Sequence, residues 1–98
     1  MAEKFRNEKD SLGEFPVPAD AWYGIQTARA VANFPISGRA PDADFVVAHV
    51  RIKRAAASAN EAAGWLDAKL ARAIVDAADR IIGGEYRDQF VVDRFQAG

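Results

Sequence analysis

The chain has 98 residues, 50% of them hydrophobic and 28% charged, with a net charge of −1 and no cysteine. That length allows one small domain. The charge balance gives no pull toward nucleic acid or an anionic membrane, and the lack of cysteine excludes a disulfide framework, a thiolate zinc site and a cysteine nucleophile.

Residues 5–18 read as extended. Phe5-Arg6-Asn7-Glu8 and Glu14-Phe15-Pro16-Val17 alternate apolar and polar, and Asp10-Ser11-Leu12-Gly13 between them is a turn signal. The pattern predicts a short hairpin-like arm, with Pro16 and Pro18 keeping the second strand at an edge. Asp20 then stands as an N-cap, and a helix is predicted over Ala21–Asn33, ended by Pro35. Gly24 inside that helix costs about 1 kcal/mol against alanine. It implies either a close backbone approach or a helix that begins near Gly24.

Pro41-Asp42-Ala43-Asp44 opens a second helix, which runs to about Ala63 with Gly64 as its cap. Val46, Val47, Val50 and Ala57 share its broad apolar side, and Arg51, Lys53 and Arg54 form a basic cluster read as a solvated face. Leu66 and Asp67 begin a third helix. Its stripe of Leu70, Ala71, Ile74, Val75, Ala78, Ile81 and Ile82 is the clearest amphipathic signal in the chain. Gly83-Gly84 ends it. The short connection predicts that helices two and three pair as an antiparallel hairpin. The tail Asp88–Phe95 is β-like in content. Gln96-Ala97-Gly98 then ends with no cap or charged tail, and is read as a cut. The expected fold class is mainly α: a hairpin arm, three helices and an extended C-terminal tail.

Alanine supplies 21 residues, while leucine, isoleucine, valine and phenylalanine together supply 23. Alanine buries little area at ~25 cal/mol per Å², and a chain of this size hides only about two-thirds of its unfolded surface. The domain is therefore expected to be marginal alone. No apolar run approaches the ~20 residues of a membrane span, and Met1–Arg6 has no apolar core like that of a secretory signal. A cytoplasmic location is expected.

Chemistry-bearing groups are sparse. His49, the one histidine, lies on the second helix with no acidic residue four positions away, so it reads as a solvated or half-buried helix residue, and no metal site is expected. Asp76 and Asp79, with Arg72 and Arg80 close in register, read as surface ion pairs. There is no Gly-rich phosphate loop and no nucleophile–histidine arrangement.

Longer stretches resemble one family. Arg6-Asn7-Glu8-Lys9-Asp10-Ser11-Leu12-Gly13-Glu14, Val17–Thr27 with Tyr23-Gly24, Arg29-Ala30-Val31, Asn33–Gly38, Lys53–Ala57, Asp88–Asp93 and Phe95-Gln96-Ala97-Gly98 are similar to the opening of the aspartase/class II fumarase superfamily. The likeness implies the N-terminal domain of a much longer, mostly helical homotetramer that eliminates ammonia or water reversibly to give fumarate, without a cofactor. It also implies that the substrate-binding segment begins at Gly98 and that the catalytic serine, histidine and lysine lie beyond it. Residues 1–98 would then hold no catalytic residue. Tyr23, Gly24, Thr27 and Arg29 carry over as a structural or site-bordering motif. Gln89, Asp93 and the Phe95–Gly98 run look more like an aspartase, with aspartate as substrate, than a fumarase acting on malate. Arg94 departs from both patterns. A third reading, a catalytically silent homologue acting as a helical interaction module, belongs to a different class.

Overall fold

The structure is a computed structural model that describes residues 3–95. Two compact units emerge where length alone allows for one small domain. The first joins the residues up to Pro41 with those from Asp88 onward, and the second is Asp42–Arg87.

In the first unit, strands β1 (Phe5–Asp10) and β2 (Gly13–Pro18) pair antiparallel, with Arg6 opposite Val17, Glu8 opposite Phe15 and Asp10 opposite Gly13. The expected turn forms at Ser11-Leu12. The Asp10 carboxylate accepts the Leu12 N–H at 3.0 Å, and Gly13 takes φ +107°, which a side chain would oppose. Alternation places Arg6, Glu8 and Asp10 on the inner side of β1, while Phe5 points outward. Val17 is fully buried beside them. The inner face of this hairpin is therefore charged along one strand and apolar along the other.

The first helix, α1 (Ile25–Asn33), begins four residues later than Asp20 predicts, and Asp20 caps nothing. Two causes are visible. Residues 18–21 are drawn into a turn by the Ala21 N–H to Pro18 carbonyl bond of 3.0 Å. The Glu8 carboxylate, reaching over from β1, takes the Ile25 N–H at 3.0 Å and so supplies the cap from outside the helix. Both meanings suggested for Gly24 hold: it is the N-cap residue, and a Cβ there would lie 3.2 Å from Glu8 Oε1. Phe34 closes the helix ahead of Pro35.

The C-terminal segment forms a single 3-10 turn at Arg87–Gln89 and then no strand through Phe95. Its β-forming residues Val91 and Val92 have the right propensity but no ladder to join. The Asp93 side chain and the Arg94 backbone attach the segment instead.

The second unit is a helical hairpin of α2 (Ala43–Ala62) and α3 (Ala68–Ile82). Asp42 caps α2 by accepting the Asp44 N–H, and Asp67 caps α3 by accepting the Lys69 and Leu70 N–H groups. Gly64 and Gly84 take positive φ just past the two helix ends, as expected of residues that stop a helix. The buried part of the pairing face is narrower than the predicted stripe, being its alanines rather than its larger residues. Val46, Val50 and Ala57 of α2 and Ala71 and Ala78 of α3 are buried, whereas Leu70 is 58% and Ile74 41% exposed. The small residues allow close approach, and the larger ones flank it. The ion pairs also differ. Arg54 crosses to Asp79 at 2.7 Å, so the basic cluster is not wholly solvated, and Arg80 turns to Glu85 at 2.9 Å rather than to Asp76. Tyr86 adopts φ +62° with the Arg80 guanidinium 5.3 Å from its ring centre.

Candidate functional site

The densest polar arrangement in the first unit joins the β-hairpin to the start of α1, where the family-like motif lies. Arg6 is its hub. Its Nη1 donates to the carbonyls of Pro18, Ala19 and Ala21 at 3.1, 3.0 and 2.9 Å, and its Nη2 donates to that of Tyr23 at 2.7 Å. Its Nε donates to Glu8 Oε2 at 2.6 Å. One planar guanidinium therefore fixes the whole connection between β2 and α1, a role suited to its rigid fork of donors. Glu8 is bound on both oxygens, by Arg6 and by the Ile25 N–H. The Arg6 hydrogen bond holds its carboxyl below the ordinary value, against the opposing effect of burial.

Arg29, on α1 and far from this hub in sequence, performs the matching task at the turn. Nε and Nη2 meet Asp10 Oδ2 and Oδ1 at 2.9 and 3.0 Å, and Nη2 also donates to the Gly13 carbonyl at 3.0 Å. Its guanidinium carbon lies 4.9 Å from the centre of the Phe15 ring. The Arg29 hydrogen bond lowers the Asp10 carboxyl below its ordinary value, again against burial. A groove of about 680 Å³ opens beside this pair, with Leu12, Gln26 and Asn33 along its walls.

Of the residues singled out by resemblance, Tyr23 contributes its carbonyl to Arg6, Gly24 makes room for Glu8, and Arg29 ties α1 to the hairpin turn. Thr27 is half-buried on α1 between them. The sequence pattern assigned no task to Arg6 or Glu8, and gave Asp10 only its place in the turn. Their signal was the period-two placement of three charged residues on one strand, opposite Val17, Phe15 and Gly13.

Gln89 and Asp93 also take on defined contacts. Gln89 Oε1 accepts the Trp22 N–H at 2.8 Å. Asp93 is buried and accepts the backbone N–H groups of Ile36, Ser37 and Phe95. Both residues act on the backbone of this chain. Arg94 lies at the surface, where its Nε donates to the Ala40 carbonyl at 3.1 Å. His49 is exposed, with Nδ1 3.2 Å from the Phe45 carbonyl and its ring beside Phe45. No group of three or more histidine, aspartate or glutamate residues is placed to hold a metal ion among the described residues. No described helix is long and apolar enough to cross a membrane. Gln96, Ala97 and Gly98 lie outside the described residues.

A family model described as "Lyase" matches residues 13–98. The chain belongs to this lyase family.

Among its relatives, a class II fumarate hydratase of Halobacterium salinarum is 56% identical over 100% of this chain and 21% of its own length. An aspartate ammonia-lyase of a Bacillus species is 46% identical over the same 100% of this chain and 21% of its own. The lyase fold is matched as well. A fumarate lyase:delta crystallin of Brucella melitensis superimposes with a TM-score of 0.83 at 48% identity, over 90% of this chain and 20% of that one. The class II fumarase of Schistosoma mansoni gives 0.84 at 34% identity, over 91% of this chain and 19% of its own. The chain thus spans about one-fifth of the length of the curated relatives it matches. Its mainly helical fold with a short two-stranded sheet is that of these fumarate lyases over the shared region.

Proposed function

We propose that the chain is the N-terminal part of a lyase that forms fumarate reversibly from a dicarboxylate by losing a small group from the carbon next to the one that gives up a proton. The lyase-family match over residues 13–98 carries this reading. The order of motifs supports it, from the hairpin through Tyr23-Gly24 to Asp93.

Water from malate is the leaving group we favour, because identity to the Halobacterium hydratase is 56% against 46% for the Bacillus ammonia-lyase. Ammonia from aspartate is the second reading, favoured by the aspartase-like Phe95–Gly98 run. Gln89 and Asp93 weigh less between the two than their resemblance suggests. Each spends its acceptor oxygens on backbone N–H groups, a task that carries no information about an amine or a hydroxyl.

Such an elimination needs a base within ~3 Å of the proton and donors preorganised about the carboxylate as it gains charge. The two arginines of the hairpin region are already engaged, Arg6 with Glu8 and four carbonyls and Arg29 with Asp10 and Gly13. In this reading residues 3–95 shape and brace the enzyme, while proton transfer and anion stabilisation belong to segments from Gly98 onward and to neighbouring subunits of a cytoplasmic homotetramer.

The test is to assay the full-length lyase with malate and with aspartate, following fumarate absorbance and ammonia release, beside the 98-residue chain alone. Malate dehydration without ammonia release is the expected result. Ammonia release from aspartate would move the assignment to the second reading. Turnover by the isolated chain that is lost on Arg29→Ala would place a catalytic group within these residues and overturn the division of labour.

A further inference from the structure

The segment Phe90–Phe95 lies in the first unit without joining its sheet. Its polar attachments converge on Asp93. Oδ2 accepts the Ser37 N–H at 2.7 Å and the Ile36 N–H at 3.2 Å, Oδ1 accepts the Phe95 N–H at 3.0 Å, and the Ser37 hydroxyl donates at 3.0 Å. The Arg94 N–H adds a bond of 2.8 Å to the Arg39 carbonyl, beside the Arg94 side-chain bond to Ala40. The same segment helps to wall a cavity of about 320 Å³, to which it contributes Val91 and Asp93 beside Val31, Phe34 and Pro35.

We propose that Asp93 is a charge-dependent latch: ionised, it pins the strap Phe90–Phe95 across this largely apolar cavity, and loss of its charge frees the strap while the hairpin and α1 stay folded. An ionised carboxylate is acceptor-only and can satisfy several donors at once. A neutral carboxyl would thrust an O–H into a ring of N–H and O–H donors. Asp93 is 9% exposed, so the carboxyl itself lies largely away from water.

The charged residues beside it are both basic. Arg39 lines the same cavity from the loop after α1, Arg94 follows Asp93 on the strap, and α1 contributes the uncharged Val31. The Phe95 N–H bond, followed by those from Ser37 and Ile36, holds the Asp93 carboxyl below its ordinary value despite burial. The latch therefore stays closed through neutral pH and opens as acid protonates it. Separate release is possible because the bonds that knit the hairpin to α1 run through Arg6, Glu8, Asp10 and Arg29 and use no strap residue.

Amide hydrogen exchange, read by NMR on the 98-residue chain at neutral pH, tests this. In Asp93→Asn the Ile36, Ser37 and Phe95 amides should exchange roughly tenfold faster or more, while β1 and β2 amides stay within about twofold of wild type. Ser37→Ala, which keeps the carboxylate and removes one donor, should give a smaller acceleration of the same amides. In wild type the Ser37 amide shift should titrate together with the Asp93 carboxyl carbon. Unchanged protection in Asp93→Asn, equal acceleration of the hairpin amides, or a Ser37 shift that ignores the Asp93 titration would each overturn the latch. If Asp93→Asn does not fold, the strap is not separable and the proposal also falls.

Discussion

Arg6 serves five acceptor oxygens with one guanidinium, so its replacement by lysine is not conservative. A lysine ammonium offers three donors from one point and cannot span carbonyls from Pro18 to Tyr23. Arg6→Lys should lower the melting midpoint by roughly 5–10 °C, read by circular dichroism. Gly24 gives a sharper test, because its role depends on a partner. A Cβ there would crowd Glu8 Oε1 at 3.2 Å, while its φ of −111° is open to any residue. Gly24→Ala should therefore destabilise the wild-type chain by about 1 kcal/mol, yet be close to neutral in a Glu8→Ala background. Additive effects in that double-mutant cycle would show that the two residues do not meet. These residues were only partly legible in the sequence. The glycine announced an anomaly, but the carboxylate that explains it is distant in the chain and lies on a strand whose charges turn inward.

The elements of the second unit were legible because their signals are local. Asp42 and Asp67 precede the first helical turns, and glycines follow the last ones. Asp67→Ala should cost about 1 kcal/mol, a melting shift of roughly 4–8 °C, since it frees two backbone N–H groups at the start of α3. Which apolar residues meet the neighbouring helix was not legible, because periodicity reports a hydrophobic side and does not rank the residues on it. Ala71 is 0% exposed and Ile74 is 41%. Ala71→Leu should accordingly destabilise the hairpin by about 1–3 kcal/mol through overpacking. Ile74→Asp should cost about 1 kcal/mol or less in this chain, since its site is open to water. Denaturant unfolding of the two variants checks the order; the reverse ranking would put Ile74 at the helix contact. The tail, β-like in content, forms no strand through Phe95 for a different reason. Valine favours a strand only where another strand can pair with it, and Asp93 attaches this segment through its side chain.

Across the described residues, five carboxyls are held below their ordinary values by folding. The Arg6 hydrogen bond does so for Glu8, Arg29 for Asp10, Arg54 for Asp79, Arg80 for Glu85 and the Phe95 N–H for Asp93. In acid the unfolded chain then binds more protons than the folded one. The stability these groups contribute is complete above the ordinary carboxylate range and is lost as pH falls through their lowered values. The urea midpoint should thus hold steady near neutrality and decline below about pH 4. A midpoint that rises on acidification would contradict the pairing. The core that this stability supports is built largely from valine and alanine, while Leu12, Trp22, Ile52, Trp65 and Phe95 stand exposed. The isolated chain should self-associate as its concentration rises, seen as an increasing sedimentation coefficient; a concentration-independent monomer with a sharp melt would count against this. The family was legible at this scale through resemblance alone. Composition and spacing disclosed no reaction, because the family-like motif consists of residues that brace the backbone.

The Glu8 cap has a consequence for how the message for α1 is written. Two start positions compete, one specified by its immediate neighbours at Asp20 and one imposed from the hairpin at Gly24. In the folded chain the remote instruction prevails. A peptide covering residues 18–36, deprived of Arg6 and Glu8, should revert to the local instruction and, in a helix-promoting solvent, show helical NMR shifts from Ala21 onward. The same stretch of sequence would then spell two different helices, depending on whether the seventeen earlier residues are present to edit it.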